Sequence, residues 1–215
     1  MKAAFSGEQF AELPIVGILR GFRTDQVTEI VRAAIRGGLR NIEITMNTPE
    51  AARQIERAVD VAEGRLNVGA GTVIGQQLLH QALIAGASFI VTPVVDPELI
   101  IECVKQGIPV FPGALSPTEI VAAWEHGATM VKVFPAESVG PAYIRAVKAP
   151  LPHIKLMPTG GVDLESFPEF AKAGADGYGI GGPLFERNRI DSGDWAGVEN
   201  RCRAFAEAHR HAMRD

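Results

Sequence analysis

The chain has 215 residues, 47% of them hydrophobic and 21% charged, with a formal net charge of -4. This composition suits an ordinary soluble globular chain, with enough length to bury a substantial core, and it excludes a disordered or low-complexity protein. The slightly acidic balance gives no electrostatic reason to bind nucleic acid or an anionic membrane.

Read from the N-terminus, the segment before the first β-rich run is expected to form a short helix. Eight β-rich runs follow, at 15–19, 41–45, 66–71, 88–92, 108–112, 129–134, 154–158 and 177–181. The stretches between them carry helical periodicity. Val27, Ile30, Val31, Ala34 and Ile35 place one apolar face at i, i+3, i+4, i+7 and i+8. Thr48-Pro49 and Asp96-Pro97 read as a capping side chain followed by proline in the first helical turn, and Ser116-Pro117-Thr118-Glu119 adds a capping box. Gly38, Gly64, Gly86, Gly107, Gly127 and Gly174 each precede a run, where a helix can end in a left-handed cap. Near Pro150 and Pro152 the prolines themselves stop the helix. The segment after Trp195 is the expected last helix. Strands alternating with helices over residues 1–215 imply one (β/α)8 barrel domain, of the TIM barrel type, with its first helix across the bottom. An open doubly wound sheet is the alternative.

Side chains alternate faces along a strand, so parity separates the barrel interior from the helix-facing side. Glu43 and Thr45 then point inward in the second run, and Met130, Lys132 and Phe134 in the sixth. Strands 2 and 6 of an eight-stranded ring lie opposite each other, which brings Glu43 and Lys132 to a common space. A buried salt bridge is the plain reading of such a pair, but burying two ions is costly and does little for stability. Charged residues near strand C-termini also sit where these barrels keep their active sites. Desolvation favours the neutral amine of a buried lysine, which can attack a ketone and form an imine. A carboxylate across the cavity can then move the protons that bond cleavage requires. Lys155 is the rival nucleophile. It begins its run, deeper toward the bottom, and reads as a snorkelling or salt-bridged structural lysine. Lys148, in a helical segment, reads as solvated.

Thr159-Gly160-Gly161 follows the seventh run, and Gly181-Gly182 follows the eighth. Loops at those two addresses frequently bind phosphate through backbone amides, and glycine lets the amides come close. Arg20 ends the first run on the face of Val16 and Ile18, where a guanidinium can hold a substrate carboxylate. Thr72 closes Gly69-Ala70-Gly71-Thr72, where small residues leave room for a ligand. His80, His126 and His153 are scattered without metal-site spacing, and Cys103 and Cys202 lack it too, so no metal or other cofactor is expected. One disulfide between the cysteines stays open. The start of the chain lacks a signal peptide's basic and apolar regions, and no apolar stretch is long enough to span a bilayer, so the expected location is cytoplasmic.

These segments resemble the 2-keto-3-deoxy-6-phosphogluconate and 4-hydroxy-2-oxoglutarate (KDPG/KHG) aldolase family. The resemblance rests on Leu13-Pro14-Ile15-Val16, Ile42-Glu43-Ile44-Thr45, Gly69-Ala70-Gly71-Thr72-Val73 and Val91-Thr92-Pro93. It continues through Phe111-Pro112-Gly113, Val131-Lys132-Val133-Phe134-Pro135-Ala136-Glu137 and Pro158-Thr159-Gly160-Gly161. It implies a class I lyase in which Lys132 forms the Schiff base and Glu43 transfers protons through water. Thr72 would hold the pyruvate carboxylate, Phe134 and Pro93 would wall the imine, and Gly160, Gly161, Gly181 and Gly182 would hold phosphate. The implied reaction cleaves 2-keto-3-deoxy-6-phosphogluconate to pyruvate and glyceraldehyde 3-phosphate, in a homotrimer. Two departures stand out. Asn47 replaces an arginine of gluconate-type members, so that Arg20 is expected to take over carboxylate binding and the sugar epimer is left open. Pro183 replaces a common serine, which keeps the unphosphorylated 4-hydroxy-2-oxoglutarate in view. A non-catalytic phosphate-binding barrel, a phosphosugar isomerase and a metal-dependent aldolase are the competing readings.

Overall fold

The structure is a computed structural model that describes residues 4–213. Eight parallel strands form the wall: β1 (Ile15–Leu19), β2 (Asn41–Thr45), β3 (Asn67–Gly71), β4 (Ile90–Thr92), β5 (Val110–Ala114), β6 (Val131–Val133), β7 (Leu156–Pro158) and β8 (Tyr178–Ile180). They follow one another around the sheet, with β8 beside β1, and a parallel bridge between Thr159 and Gly179 joins β7 to β8. The ring is therefore closed, which makes the fold a (β/α)8 barrel and disposes of the open-sheet alternative. The connecting helices are α2 (Thr24–Arg36), α3 (Ala51–Ala62), α4 (Gly75–Ile84), α5 (Pro97–Lys105), α6 (Pro117–Glu125), α7 (Gly140–Lys148) and α8 (Phe167–Lys172). A short helix α1 (Gly7–Glu12) precedes the barrel, and α9 (Arg187–Ser192) and α10 (Trp195–Ala212) follow it.

Strand parity sorts the core into two compartments. Ile42, Ile44, Val131, Val133 and Ile180 belong to the layer under the helices, whereas Val16, Phe89, Val91, Phe111, Met130 and Met157 fill the lower barrel. Phe5 and Phe10 close this inner cluster from below, as expected of a capping first helix. Polar groups on the floor are paired. Asn67 donates to the Ser6 carbonyl (2.9 Å) and to Asn41 Oδ1 (2.8 Å), and its own Oδ1 accepts from the Ser6 N–H (2.7 Å). Asn41 in turn donates to the Leu13 carbonyl (2.9 Å).

Local signals at helix ends are realised in large part. All six glycines read as helix stops have positive φ, from 67° at Gly107 to 100° at Gly127. Asp96 caps α5 by accepting from the Leu99 N–H, and Ser116 with Glu119 forms the capping box of α6. Thr48-Pro49 is a correction, because α3 starts only at Ala51. The Thr48 hydroxyl instead meets that of Thr45 (3.0 Å) and accepts from the Gly21 N–H (2.9 Å), tying the tops of β1 and β2 together. The fifth strand runs 110–114 rather than 108–112, and Gly113 within it packs so closely on the end of β4 that a side chain there would come within 2.5 Å of the Pro93 backbone. Cys103 and Cys202 are both free and buried, and burial pushes each thiol up to about 12. No helix among the described residues is long and apolar enough to cross a membrane.

Candidate active site

Lys132 is the middle residue of β6 and only 2% exposed, and Glu43 is the middle residue of β2 and 1% exposed. With β2 and β6 on opposite sides of the ring, both side chains enter the upper barrel as parity requires. Space for the Glu43 carboxylate comes from glycine, and a second glycine makes room for Thr159. A side chain on Gly71 of β3 would collide with the Glu43 carboxylate, and one on Gly179 of β8 would collide with Thr159. The Lys132 amine lies 4.8 Å from the centroid of the Phe134 ring.

The pair is not locked as an ion pair. Among the described residues, Lys132 has no salt-bridge partner, and the buried Glu43 Oε1 has no hydrogen-bond partner. Burial holds the Lys132 ammonium below its usual pKa; the Glu43 charge opposes this shift and the Arg20 charge adds to it. Burial likewise holds the Glu43 carboxyl above its usual range, against the attraction of Lys132 and Arg20. Both groups are thereby moved toward their neutral forms, the amine toward a nucleophile and the acid toward a proton donor.

Beside this pair lies a cavity of about 370 Å³, the size of a small-ligand site. Arg20, Phe134, Thr159, Gly160, Gly161, Gly181 and Gly182 all line it, so residues from the ends of β1, β6, β7 and β8 converge there. Gly160 (φ 90°) and Gly161 (φ 73°) both take the left-handed conformation. A side chain on Gly161 would approach Glu137 Cβ to 2.6 Å, so this loop also packs closely on the segment after Lys132. A larger concavity of about 950 Å³ lies outside the barrel along α2 and α3. Neither concavity is lined by Lys132 or Glu43 themselves. The smaller one is walled by Phe134, whose ring lies under the Lys132 amine, and by Arg20, whose charge reaches both groups, so the chemistry assigns the site to it.

Other expected residues have different places. Thr72 and Pro93, both half-buried, stand at the tops of β3 and β4, on the side of the ring away from the glycine loops. Thr72 has φ 54°, a strained conformation of the kind concentrated at functional sites. Asn47 is exposed in the turn after β2 and does not line the cavity. Lys155 precedes β7 and is exposed, so the structural role expected of it as a salt-bridged or snorkelling lysine is replaced by a solvated one. Lys148 is corrected in the opposite sense. It pairs with Asp176 and its side chain is only 16% exposed. Sequence reasoning missed Phe22, Val162 and Arg187 in the cavity wall, because nothing local marks an arginine six residues beyond Gly181 as facing the end of β1. Among the described residues, no group of three His, Cys, Asp or Glu is placed to hold a metal ion.

A closed barrel whose mouth holds a buried lysine, without an ion-pair partner among the described residues, opposite a buried carboxylate and beside a glycine-lined cavity has the architecture of a barrel carbon–carbon lyase. Comparisons with known proteins sharpen this. The family model described as KDPG and KHG aldolase matches residues 7–201. The chain is 37% identical over 205 residues to 2-dehydro-3-deoxy-phosphogluconate aldolase of Pseudomonas aeruginosa, covering 93% of this chain and 91% of that one. It is 34% identical over 203 residues to 2-dehydro-3-deoxy-6-phosphogalactonate aldolase of Escherichia coli K12, covering 94% and 97%. Among solved structures, the KDPG aldolase of Legionella pneumophila, with pyruvate captured as a covalent carbinolamine, superposes with a TM-score of 0.86 at 27% identity. That match covers 93% of this chain and 97% of the other. The chain belongs to the KDPG and KHG aldolase family.

Proposed function

We propose that this chain is a class I aldolase that cleaves 2-keto-3-deoxy-6-phosphogluconate reversibly to pyruvate and glyceraldehyde 3-phosphate. The observation that carries the reading is the buried Lys132 amine, without an ion-pair partner among the described residues, facing the unpartnered Glu43 Oε1. In the forward direction the amine adds to the substrate C2 carbonyl, and the carbinolamine loses water to give a protonated imine. Glu43, through water, takes the proton of the C4 hydroxyl. The C3–C4 bond breaks, its electrons pass to the imine nitrogen, and the aldehyde departs. The enamine that remains takes a proton at C3 from the same relay, and water hydrolyses the imine to release pyruvate and restore the amine. Arg20 and Thr72 hold the C1 carboxylate, Phe134 and Pro93 form the apolar wall, and the loops 159–161 and 181–182 receive the phosphate.

Pyruvate with borohydride tests this reading. A reduced pyruvyl adduct on Lys132 is expected, and Lys132→Arg should lose the adduct together with turnover, on the order of 10^3-fold or more. An unmodified protein mass would refute imine chemistry and favour a binding barrel or an isomerase.

A second reading, the galactonate epimer, is favoured by Asn47 and by the likeness to the E. coli phosphogalactonate enzyme. Assaying both epimers beside 4-hydroxy-2-oxoglutarate ranks the three substrates. The homotrimer is part of the proposal. Six large apolar side chains, Ile74, Ile84, Val94, Ile101, Val104 and Leu115, are exposed along one run of chain around α4 and α5, a surface suited to a second copy. Sedimentation at three chain masses supports it, and a monomer removes it. The two free cysteines suit a reducing cytoplasm, where we place the enzyme.

A further inference from the structure

The rim of the cavity carries a cation that the reaction scheme above does not use. Arg187, at the start of α9, lines the cavity together with Gly160, Gly161 and Gly182. Its guanidinium lies over the Phe22 ring, 4.9 Å from the centroid, and Nη2 donates to the carbonyls of Gly21 (3.0 Å) and Arg20 (3.3 Å). Those contacts hold one edge of the guanidinium at the rim between β1 and β8. Its charge is not neutralised nearby. The adjacent Glu186 pairs with Arg189 and Arg201, and Arg187 has no carboxylate partner among the described residues.

Backbone donors in the neighbouring loop are scarce. Pro183 has no N–H, and its carbonyl is turned to Arg201 (3.0 Å). The N–H groups of Leu184 and Phe185 both donate to the Gly181 carbonyl, at 2.9 and 3.0 Å. A dianionic phosphate gains from a guanidinium shorter and stronger charge-assisted hydrogen bonds than neutral amides supply.

We infer that Arg187 is a specificity residue for the distal phosphate, supplying in this chain the charge-assisted contacts that Pro183 and the closed 181–185 turn do not. Arg20 and Arg187 then divide the substrate between them. Arg20 acts at the carboxylate end, where its charge already bears on Glu43 and Lys132, and Arg187 acts at the phosphate end. This inference rests on the aldolase reading.

The test is kcat/KM for the phosphorylated keto-deoxy acid and for the same acid without phosphate, in the natural protein, Arg187→Gln and Arg187→Lys. The preference for the phosphorylated substrate should fall about tenfold in Arg187→Gln, through KM rather than kcat, and recover in part in Arg187→Lys. Competitive inhibition by inorganic phosphate should weaken in parallel. Because the site is open, the preference of the natural protein should itself shrink as salt is raised. Equal losses on both substrates, or a change in kcat alone, would mean that Arg187 only braces the rim, and an unchanged preference would overturn the inference outright. Pyruvate trapping on the natural protein separates the two layers. No adduct on Lys132 ends the aldolase reading itself, whereas an adduct combined with an unchanged preference in Arg187→Gln ends only the role of Arg187.

Discussion

The floor and the mouth of this barrel bury polar groups in opposite ways. On the floor, Asn41 and Asn67 hydrogen-bond to each other, to Ser6 and to the Leu13 carbonyl, and aromatic rings fill the space around them. In the mouth, Lys132 and Glu43 are equally hidden from solvent, yet Glu43 Oε1 is left without a partner and glycines keep the space open. Satisfied buried polar groups specify a structure, while unsatisfied ones cost stability and are retained where chemistry needs them. The comparison shows that burial alone does not mark a site. Gln9 Oε1 and His209 Nδ1 are also buried without a partner among the described residues, so what distinguishes Glu43 is its unpartnered oxygen together with a buried lysine across the ring.

The largest effect should come from breaking the mouth. Glu43→Gln keeps the shape but cannot carry protons, so kcat should fall about 10^2- to 10^4-fold in steady-state cleavage. The same variant should be more stable than the natural protein at neutral pH. Burial raises the folded-state pKa of Glu43, so the unfolded chain binds fewer protons above the ordinary carboxylate range, and the natural protein loses stability as pH rises through that window. Melting temperatures measured from acid to neutral pH should therefore coincide at the acid end and diverge upward in favour of Glu43→Gln. Curves that stay together would show that the carboxylate carries no burial penalty.

The floor should respond in the opposite sense. Asn67→Ala leaves Asn41 and Ser6 short of partners and should cost about 1–3 kcal/mol in denaturant unfolding, with the pH–rate profile unmoved. A shifted profile would mean that floor and mouth are coupled. The smallest effect belongs to the exposed Lys155, where Lys155→Arg should change stability by no more than about 0.5 kcal/mol and leave pyruvate trapping intact. Loss of the adduct in that variant alone would move the nucleophile from Lys132 to Lys155.

Much of this was legible in the residues before any coordinates. Period-two alternation placed Glu43 and Lys132 on the inner face, and the order of eight runs placed them across from each other. Glycine and capping signals are local, and most are realised because φ sterics and cap hydrogen bonds act within a few residues. Thr48 shows where such reasoning stops: its hydroxyl had a local use as a cap and took a distant one at Gly21.

By itself, then, the amino-acid order determined the strand and helix units, the inward facing of the reactive pair and the two glycine loops, since all of these follow from periodicity and backbone sterics. Ring closure decided the remainder. It set Arg187 against Phe22 and the end of β1, paired Lys148 with Asp176, left Lys155 in solvent and denied Glu43 Oε1 a partner. Each of those outcomes depends on side chains far apart in sequence meeting in three dimensions, where their solvation and charge are settled only once the barrel is shut.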